Sequence, residues 1–86
     1  MISYEIEFKP SALKELKKLP KQVAIRIVKA IDKLSLDPRL GDVRIMVGST
    51  SWRLRIGDHR VIYDINEHKY VILIIRVRHR KDVYKP

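Results

Sequence analysis

The stretch from Trp52 to Tyr63 constrains the fold more than any other part of the chain, because its pattern is that of a β-hairpin. Apolar residues alternate with Arg53 and Arg55, which is the period of a half-buried strand. Gly57-Asp58 suits a two-residue type II′ turn, and such a turn fixes the register. The predicted register pairs Ile56 with His59, Arg55 with Arg60, Leu54 with Val61, Arg53 with Ile62 and Trp52 with Tyr63.

The hairpin separates an apolar face from a face that carries Arg53, Arg55 and Arg60. The Cβ atoms of Arg55 and Arg60 would stand about 5 Å apart, where like charges destabilise a sheet. Near a protein surface this repulsion is on the order of a few kcal/mol. The cost favours an anion that all three arginines bind. The alternative is a solvated outer sheet face, since long surface arginines are common.

Charge and composition narrow the class of protein. The 86 residues predict one domain, residues 1–86. The formal net charge is +9, of which residues 44–86 contribute +6, so the basic excess concentrates around the hairpin. A polyanion partner is the natural interpretation, with nucleic acid first. There are no cysteines, no signal peptide and no apolar run long enough to span a bilayer, so we expect a cytoplasmic protein without membrane contact.

The order of elements predicts an α+β fold. A first strand alternates over Ile2–Phe8, and two helices follow, the second over Lys21–Ser35, with Pro20 between them. Four strands come after the helices. The predicted order is therefore β-α-α-β-β-β-β, with the N-terminal strand and a helical hairpin packed on one face of a mainly antiparallel, twisted sheet. Apolar residues on both faces of Val71–Ile75 predict an interior strand, covered on both sides for part of its length.

Several kinds of chemistry find no support in the residues. The three histidines lack metal-ligand spacing, and the three glycines form no phosphate loop, so neither a metal nor a cofactor is expected. The remaining candidates are arginines, a histidine and a tyrosine. Guanidinium groups bind phosphate and stabilise negative charge that develops on it, and a tyrosine stacks on a base or transfers a proton. These residue types suit metal-free RNA cleavage by the 2′-hydroxyl, or simply RNA binding.

With these residues in view, the sequence resembles the RelE/ParE superfamily of toxins from type II toxin–antitoxin pairs. The resemblance spans nearly the whole chain. It is carried by residues 8–20 at the front, by the hairpin Trp52–Tyr63 and by Arg78-His79-Arg80-Lys81-Asp82-Val83-Tyr84 at the end. It implies a RelE-like fold and a ribosome-dependent endoribonuclease that cleaves messenger RNA in the A site without a metal. It also implies a RelB-like antitoxin partner.

The resemblance also implies roles for individual residues. The family's paired basic residues match Arg53 and Arg55, its next strand arginine matches Arg60, and its terminal arginine and tyrosine match Arg80 and Tyr84. RelE has lysines where Arg53 and Arg55 stand, and arginine is a poor general base, so proton removal falls to Tyr84, to His79 or to an unusual arginine. The predicted catalytic residues are Arg55, Arg60, Arg80 and Tyr84, and the predicted RNA-binding residues are Arg53, Arg76, Arg78 and His79.

Two other functions fit the same sequence. A ParE-like gyrase inhibitor would share the fold and act on a protein target, because fold alone does not carry function. A module that binds ribosomes or RNA after losing catalysis would also keep the arginines. RNA cleavage in a translating extract, compared with inhibition of purified gyrase, separates these functions.

Overall fold

The computed structural model describes residues 3–46 and 48–83. Within them, no helix is long and apolar enough to cross a bilayer. The elements follow the predicted order, with one additional short helix at the end. They are β1 (Glu5–Phe8), α1 (Pro10–Lys17), α2 (Lys21–Leu34), β2 (Val43–Ile45), β3 (Trp52–Ile56), β4 (His59–Asn66), β5 (Val71–His79) and α3 (Arg80–Val83).

The strands form one mixed sheet in the order β1-β5-β4-β3-β2. Only β1 and β5 pair in parallel, and the other pairs are antiparallel. All five pairs predicted for the central hairpin are confirmed, including Arg55 with Arg60. Gly57 has a φ of +58°, whereas Asp58 does not adopt a positive φ. This is the pattern of a type II′ turn, which needs a left-handed conformation at its first central residue only.

The two helices cover one face of the sheet and form the core with it. Pro10 occupies the first turn of α1, where its missing N–H costs no helical hydrogen bond. The apolar stripe of α2 packs against buried residues of β3, β4 and β5, around Tyr63. The Tyr63 hydroxyl donates a 2.6 Å hydrogen bond to the Pro38 carbonyl, and burial raises the pKa of this phenol to about 12. The core residues under one-tenth exposed are Ala12, Ile27, Ile31, Leu34, Leu54, Val61, Tyr63, Ile72, Ile74 and Val77.

Strand β5 is interior, as predicted, because it pairs with both β1 and β4. The prediction that both of its faces are covered is wrong. The helices cover only the face of Ile72 and Ile74, while Val71 and Leu73 line an open groove on the other face. Apolar side chains on two faces indicate an interior strand in the sheet, but they do not establish a second covering layer.

Where β1 ends, side chains of helix α1 form hydrogen bonds with the edge of β5. Strand β1 pairs only with the first half of β5, as far as Ile74. Beyond that point the Ser11 hydroxyl donates to the Ile75 carbonyl at 2.9 Å, and a carboxylate oxygen of Glu15 accepts from the Val77 amide at 2.9 Å. Side chains of α1 thereby satisfy backbone groups that an edge strand would otherwise expose.

Glu15 also binds the Arg76 side chain through both of its oxygens. The Nε and Nη2 atoms of Arg76 donate at 3.1 and 2.9 Å. Desolvation raises the pKa of Glu15, but the hydrogen bonds from Arg76 and Val77 and the charges of Arg76 and Arg78 outweigh it, so the net pKa is lowered. The carboxylate thus contributes stability above its unfolded pKa, and this contribution is lost as the pH falls through the folded pKa.

We expect Glu15→Gln to lower the free energy of unfolding at pH 7 by about 1–2 kcal/mol, since hydrogen bonds to charged groups are worth about 1.5–3 kcal/mol and this one is partly exposed. Urea denaturation followed by circular dichroism measures the change. The difference from wild type should shrink on acidification, because the wild-type carboxylate becomes protonated. Glu5→Gln, at an exposed position on β1, is the control. A pH-independent loss for Glu15→Gln would contradict the assignment.

Candidate functional site

Three strands place arginines side by side on the sheet face that the helices leave open. Arg55 on β3 pairs with Arg60 on β4, and Arg60 pairs in turn with Arg78 on β5. Neighbouring strands lie about 4.8 Å apart, so these residues form one row across the sheet. Arg53 shares the face, two residues before Arg55 on the same strand. Since the face follows from the hairpin register, the Gly57 turn indirectly positions all three arginines of the row.

A cavity of about 300 Å³ opens at the β2 side of this row. Its lining consists almost entirely of charged groups. A phosphate group bound there would meet several guanidinium donors, whose planar forks match its oxygens. The lining residues are Asp42, Arg44, Arg53, Arg55 and Arg60.

Arg60 is the most buried arginine that lines the cavity. It is only 5% exposed, and its Nη1 donates to the carbonyls of Gly57 at 3.2 Å and His59 at 3.0 Å. No carboxylate within the described residues forms an ion pair with it. A buried cation held only by carbonyl dipoles is costly unless an anion completes its surroundings. The environment of Arg60 therefore favours a bound oxyanion.

Two arginines predicted to contact RNA differ in their surroundings. Arg76 is engaged by Glu15, so its guanidinium is turned toward α1 and is absent from the cavity lining. Arg78 stands beside Arg60 in the row and extends the positive face beyond the cavity. Arg78 is thus the better placed of the two for a second phosphate of a bound strand.

The predicted site residues His79 and Arg80 lie outside the cavity. Arg80 begins α3, where its amide donates to the Asp58 carbonyl at 2.7 Å and its Nε lies 3.9 Å from Asp58 Oδ1. His79 pairs with His59, two residues beyond the buried Val61–Val77 pair, which places both rings on the helix-covered side of the sheet. Neither Arg80 nor His79 lines the cavity. Tyr84, predicted as a catalytic residue, lies outside the described residues.

The two histidines contact each other at that end of the sheet. Their rings meet edge to face, with centroids 5.3 Å apart. Desolvation, followed by the charge of His79, lowers the pKa of His59, and Arg60 adds to the effect while Asp58 opposes it. Within the described part of the chain, no group of three or more His, Asp or Glu residues is arranged to hold a metal ion.

Sequence reasoning missed Asp42. Its carbonyl accepts the Arg55 amide at 2.9 Å, and its Oδ1 lies 3.9 Å from the Nε of Arg44. Since Val43 pairs with Leu54, extending the register by one residue sets Asp42 opposite Arg55. The carboxylate therefore stands at the end of the arginine row and lines the same cavity. The sequence does place Asp42 directly before β2, the strand that pairs with the hairpin.

Comparison with known proteins decides the family. The sequence profile of the ParE toxin of type II toxin–antitoxin systems, parDE, matches residues 6–84. The chain belongs to the ParE toxin family. Among curated relatives, toxin RelG of Mycobacterium tuberculosis is 31% identical over 84 residues, covering 95% of this chain and 97% of RelG. The mRNA interferase toxin RelE of Escherichia coli K12 is 30% identical over 87 residues, covering 96% and 92%.

Solved structures agree with the fold of this RelE-like toxin. The toxin–antitoxin complex RelBE2 from Mycobacterium tuberculosis contains a chain that matches with a TM-score of 0.81 at 28% identity, covering 92% of this chain and all of that one. An archaeal RelE–RelB complex from Pyrococcus horikoshii gives the same TM-score at 30% identity, with coverage of 92% and 97%. The predicted α+β, RelE-like fold is confirmed.

We expect inorganic phosphate to stabilise the wild-type toxin against heat more than Arg55→Gln. An anion at ten times its dissociation constant adds about 1.4 kcal/mol, and about 1 kcal/mol shifts the unfolding temperature of a domain this small by 4–8 °C. Differential scanning fluorimetry at constant ionic strength measures the shift. Lys33→Gln, which removes an exposed charge of α2, should respond like wild type. Equal shifts in all three proteins would show that the cavity binds no phosphate.

Proposed function

We propose that this toxin is an endoribonuclease that cleaves messenger RNA in the ribosomal A site and so stops translation. The observation that carries the proposal is the cavity in which Arg53, Arg55 and the buried Arg60 converge beside one carboxylate. Relatives of similar length named as mRNA interferases support the same activity. We further propose an antitoxin partner of the RelB type, because several structural neighbours are toxin–antitoxin complexes.

The proposed reaction uses the substrate's own 2′-hydroxyl. The 2′-oxygen forms a bond to the adjacent phosphorus, the bond from phosphorus to the 5′-oxygen breaks, and the products are a 2′,3′-cyclic phosphate and a 5′-hydroxyl. Arg55 and Arg60 stabilise the negative charge that builds up on the phosphate oxygens. Arg53 and Arg78 hold the flanking backbone, since phosphate contacts position a strand without reading its sequence. No step requires a metal ion.

Asp42 is proposed as the general base. Arginine remains protonated, so the arginines of the cavity cannot accept the 2′-hydroxyl proton. Asp42 is the one carboxylate among the lining residues. It takes that proton while water protonates the departing 5′-oxygen, and the resulting hydroxide recovers the proton from Asp42. This assignment replaces His79 as base, because His79 lies on the other side of the sheet, while Arg80 and Tyr84 stay proposed contributors to catalysis.

Substitution of the cavity arginines should strongly reduce cleavage. We expect Arg55→Gln and Arg60→Lys to reduce messenger cleavage in a translating extract at least a hundredfold, in line with the loss of one donor to a developing oxyanion. The measurement is primer extension on the message, with detection of the 2′,3′-cyclic end. Arg80→Ala and Tyr84→Phe test the remaining predicted residues, and Lys33→Gln is the matched control. The proposal would be overturned if wild-type toxin left messages intact, or if all four variants kept full activity. If chelators removed the activity, the metal-free mechanism would be overturned.

Asp42→Asn should lower kcat by a factor of about 10²–10⁴, the usual contribution of a general base. KM should change little, because the arginines that bind phosphate are untouched. Asp37→Asn, in the loop before β2, is the control. A wild-type kcat for Asp42→Asn would remove Asp42 from the mechanism and leave the arginine assignments standing.

The family profile that matches this chain supports one alternative function. That profile is described for ParE, so gyrase inhibition remains the second candidate function. Supercoiling by purified gyrase should be unaffected by this toxin under the first proposal. Inhibition of gyrase, with messages left whole, would favour the alternative, and ribosome binding without either effect would indicate a module that has lost catalysis.

A further inference from the structure

The open face of the sheet is divided by charge along the strands. The half next to the Gly57 turn carries the arginine row. In the other half, Glu5 and Glu7 on β1 and Asp64 on β4 replace the arginines. Between these acidic strands lie Val71 and Leu73 of β5, which the helices do not cover. A chain with a net charge of +9 thus presents an acidic, partly apolar surface on the same face as its basic site.

This acidic half forms a groove of about 770 Å³, larger than the arginine cavity. Val71 and Leu73 make its floor, and the turn between β4 and β5 closes one end, where Lys69 is the single lysine or arginine of the lining against the carboxylates of Glu7, Asp64 and Glu67. Glu7 and Asp64 stand on the two sides of Leu73, since both are its Cα partners. The Ser51 hydroxyl donates to Asp64 Oδ1 at 2.6 Å, which fixes the orientation of that carboxylate.

The rows of the groove repeat at the spacing of an extended chain. One row runs from Glu7 through Leu73 to Asp64, and the next has Glu5, Val71 and Asn66. Successive rows lie two residues apart, which is about 6.6 Å along a strand. A ligand in extended conformation repeats its side chains on one face with this same distance. Lysine or arginine at every second position would lay its aliphatic stem over Leu73 or Val71 and bring its charge to a carboxylate.

We propose that the groove binds an extended, cationic segment of the antitoxin, with Lys or Arg at alternate positions. The inference rests on the proposed antitoxin partner and not on RNA cleavage. Charge complementarity selects this occupant, because the acidic walls repel the phosphates of RNA. The division of the face also orients the partner, since its basic segment lies over Glu7 and Asp64 while any acidic segment is drawn to the arginines.

Synthetic peptides test the groove directly. The probe is a fluorescein-labelled octapeptide of alternating Lys and Ser, compared with one of alternating Glu and Ser and with one that repeats Lys-Lys-Ser-Ser, in which no two Lys stand two positions apart. Fluorescence anisotropy should show the alternating Lys peptide binding most tightly, although the overall positive charge of the toxin repels it. The double variant Glu7→Gln/Asp64→Asn should weaken that binding about tenfold, and the Asn side chain still accepts the Ser51 hydrogen bond. Asp32→Asn, an exposed change on α2, should leave it unchanged.

Equal binding of the alternating Lys peptide and the Lys-Lys-Ser-Ser peptide, or wild-type affinity in the double variant, would overturn the proposal. So would self-association of the toxin in sedimentation velocity that the double variant abolishes, since a second copy would then occupy the groove. In cells, a protein encoded beside the toxin gene should relieve growth arrest by wild type more fully than arrest by the double variant. Equal relief would also overturn the groove assignment. Failure to relieve wild type would instead refute the antitoxin proposal, and message cleavage, which should be equal in both toxins, reports separately on the nuclease.

Discussion

The pairing of Arg55 with Arg60 across the β3–β4 hairpin is the constraint on which the rest of the arginine site depends. Like charges in directly opposed positions oppose sheet formation, so other interactions must hold the hairpin in register. The opposite face supplies them, through the buried contacts of Leu54, Val61 and Tyr63. A slip of one residue would exchange the two faces, and the core would then contain arginines. The core therefore enforces a charge arrangement that the arginines themselves disfavour.

Helix α1 affects the site by pairing one of its carboxylates with an arginine of β5. Glu15 satisfies a backbone amide of β5 and at the same time neutralises Arg76, which lies on the same strand. Arg78, two residues further along, forms no ion pair within the described residues and stands beside Arg60. One carboxylate thus separates a structural arginine from arginines that remain directed at the open face. This distinction restricts the proposed phosphate contacts to the hairpin and the last residues of β5.

Sequence patterns predicted the fold and the pairing of the hairpin arginines, because both follow from local rules. Alternation and a Gly-Asp turn were enough to set the hairpin register, and helical spacing with Pro20 was enough for the two helices. The patterns could not tell Arg76 from Arg78, since the difference is a carboxylate 61 positions earlier in the chain. They also missed Asp42, whose relevance depends on strand β2 pairing with β3 across a loop. Tertiary pairing, and not residue type, separates these side chains.

The parallel pairing of β1 with β5 has a consequence for biosynthesis. It joins residues 5–8 to residues 71–74, so the sheet closes only after residue 74 is available for pairing. Contacts of such long range form late, and parallel pairing is slow compared with hairpin formation. A nascent chain from which β5 has not yet emerged lacks the strand that contributes Arg78 and joins β1 to the rest of the sheet. The arginine row of the proposed phosphate site is therefore incomplete until β5 has left the ribosome.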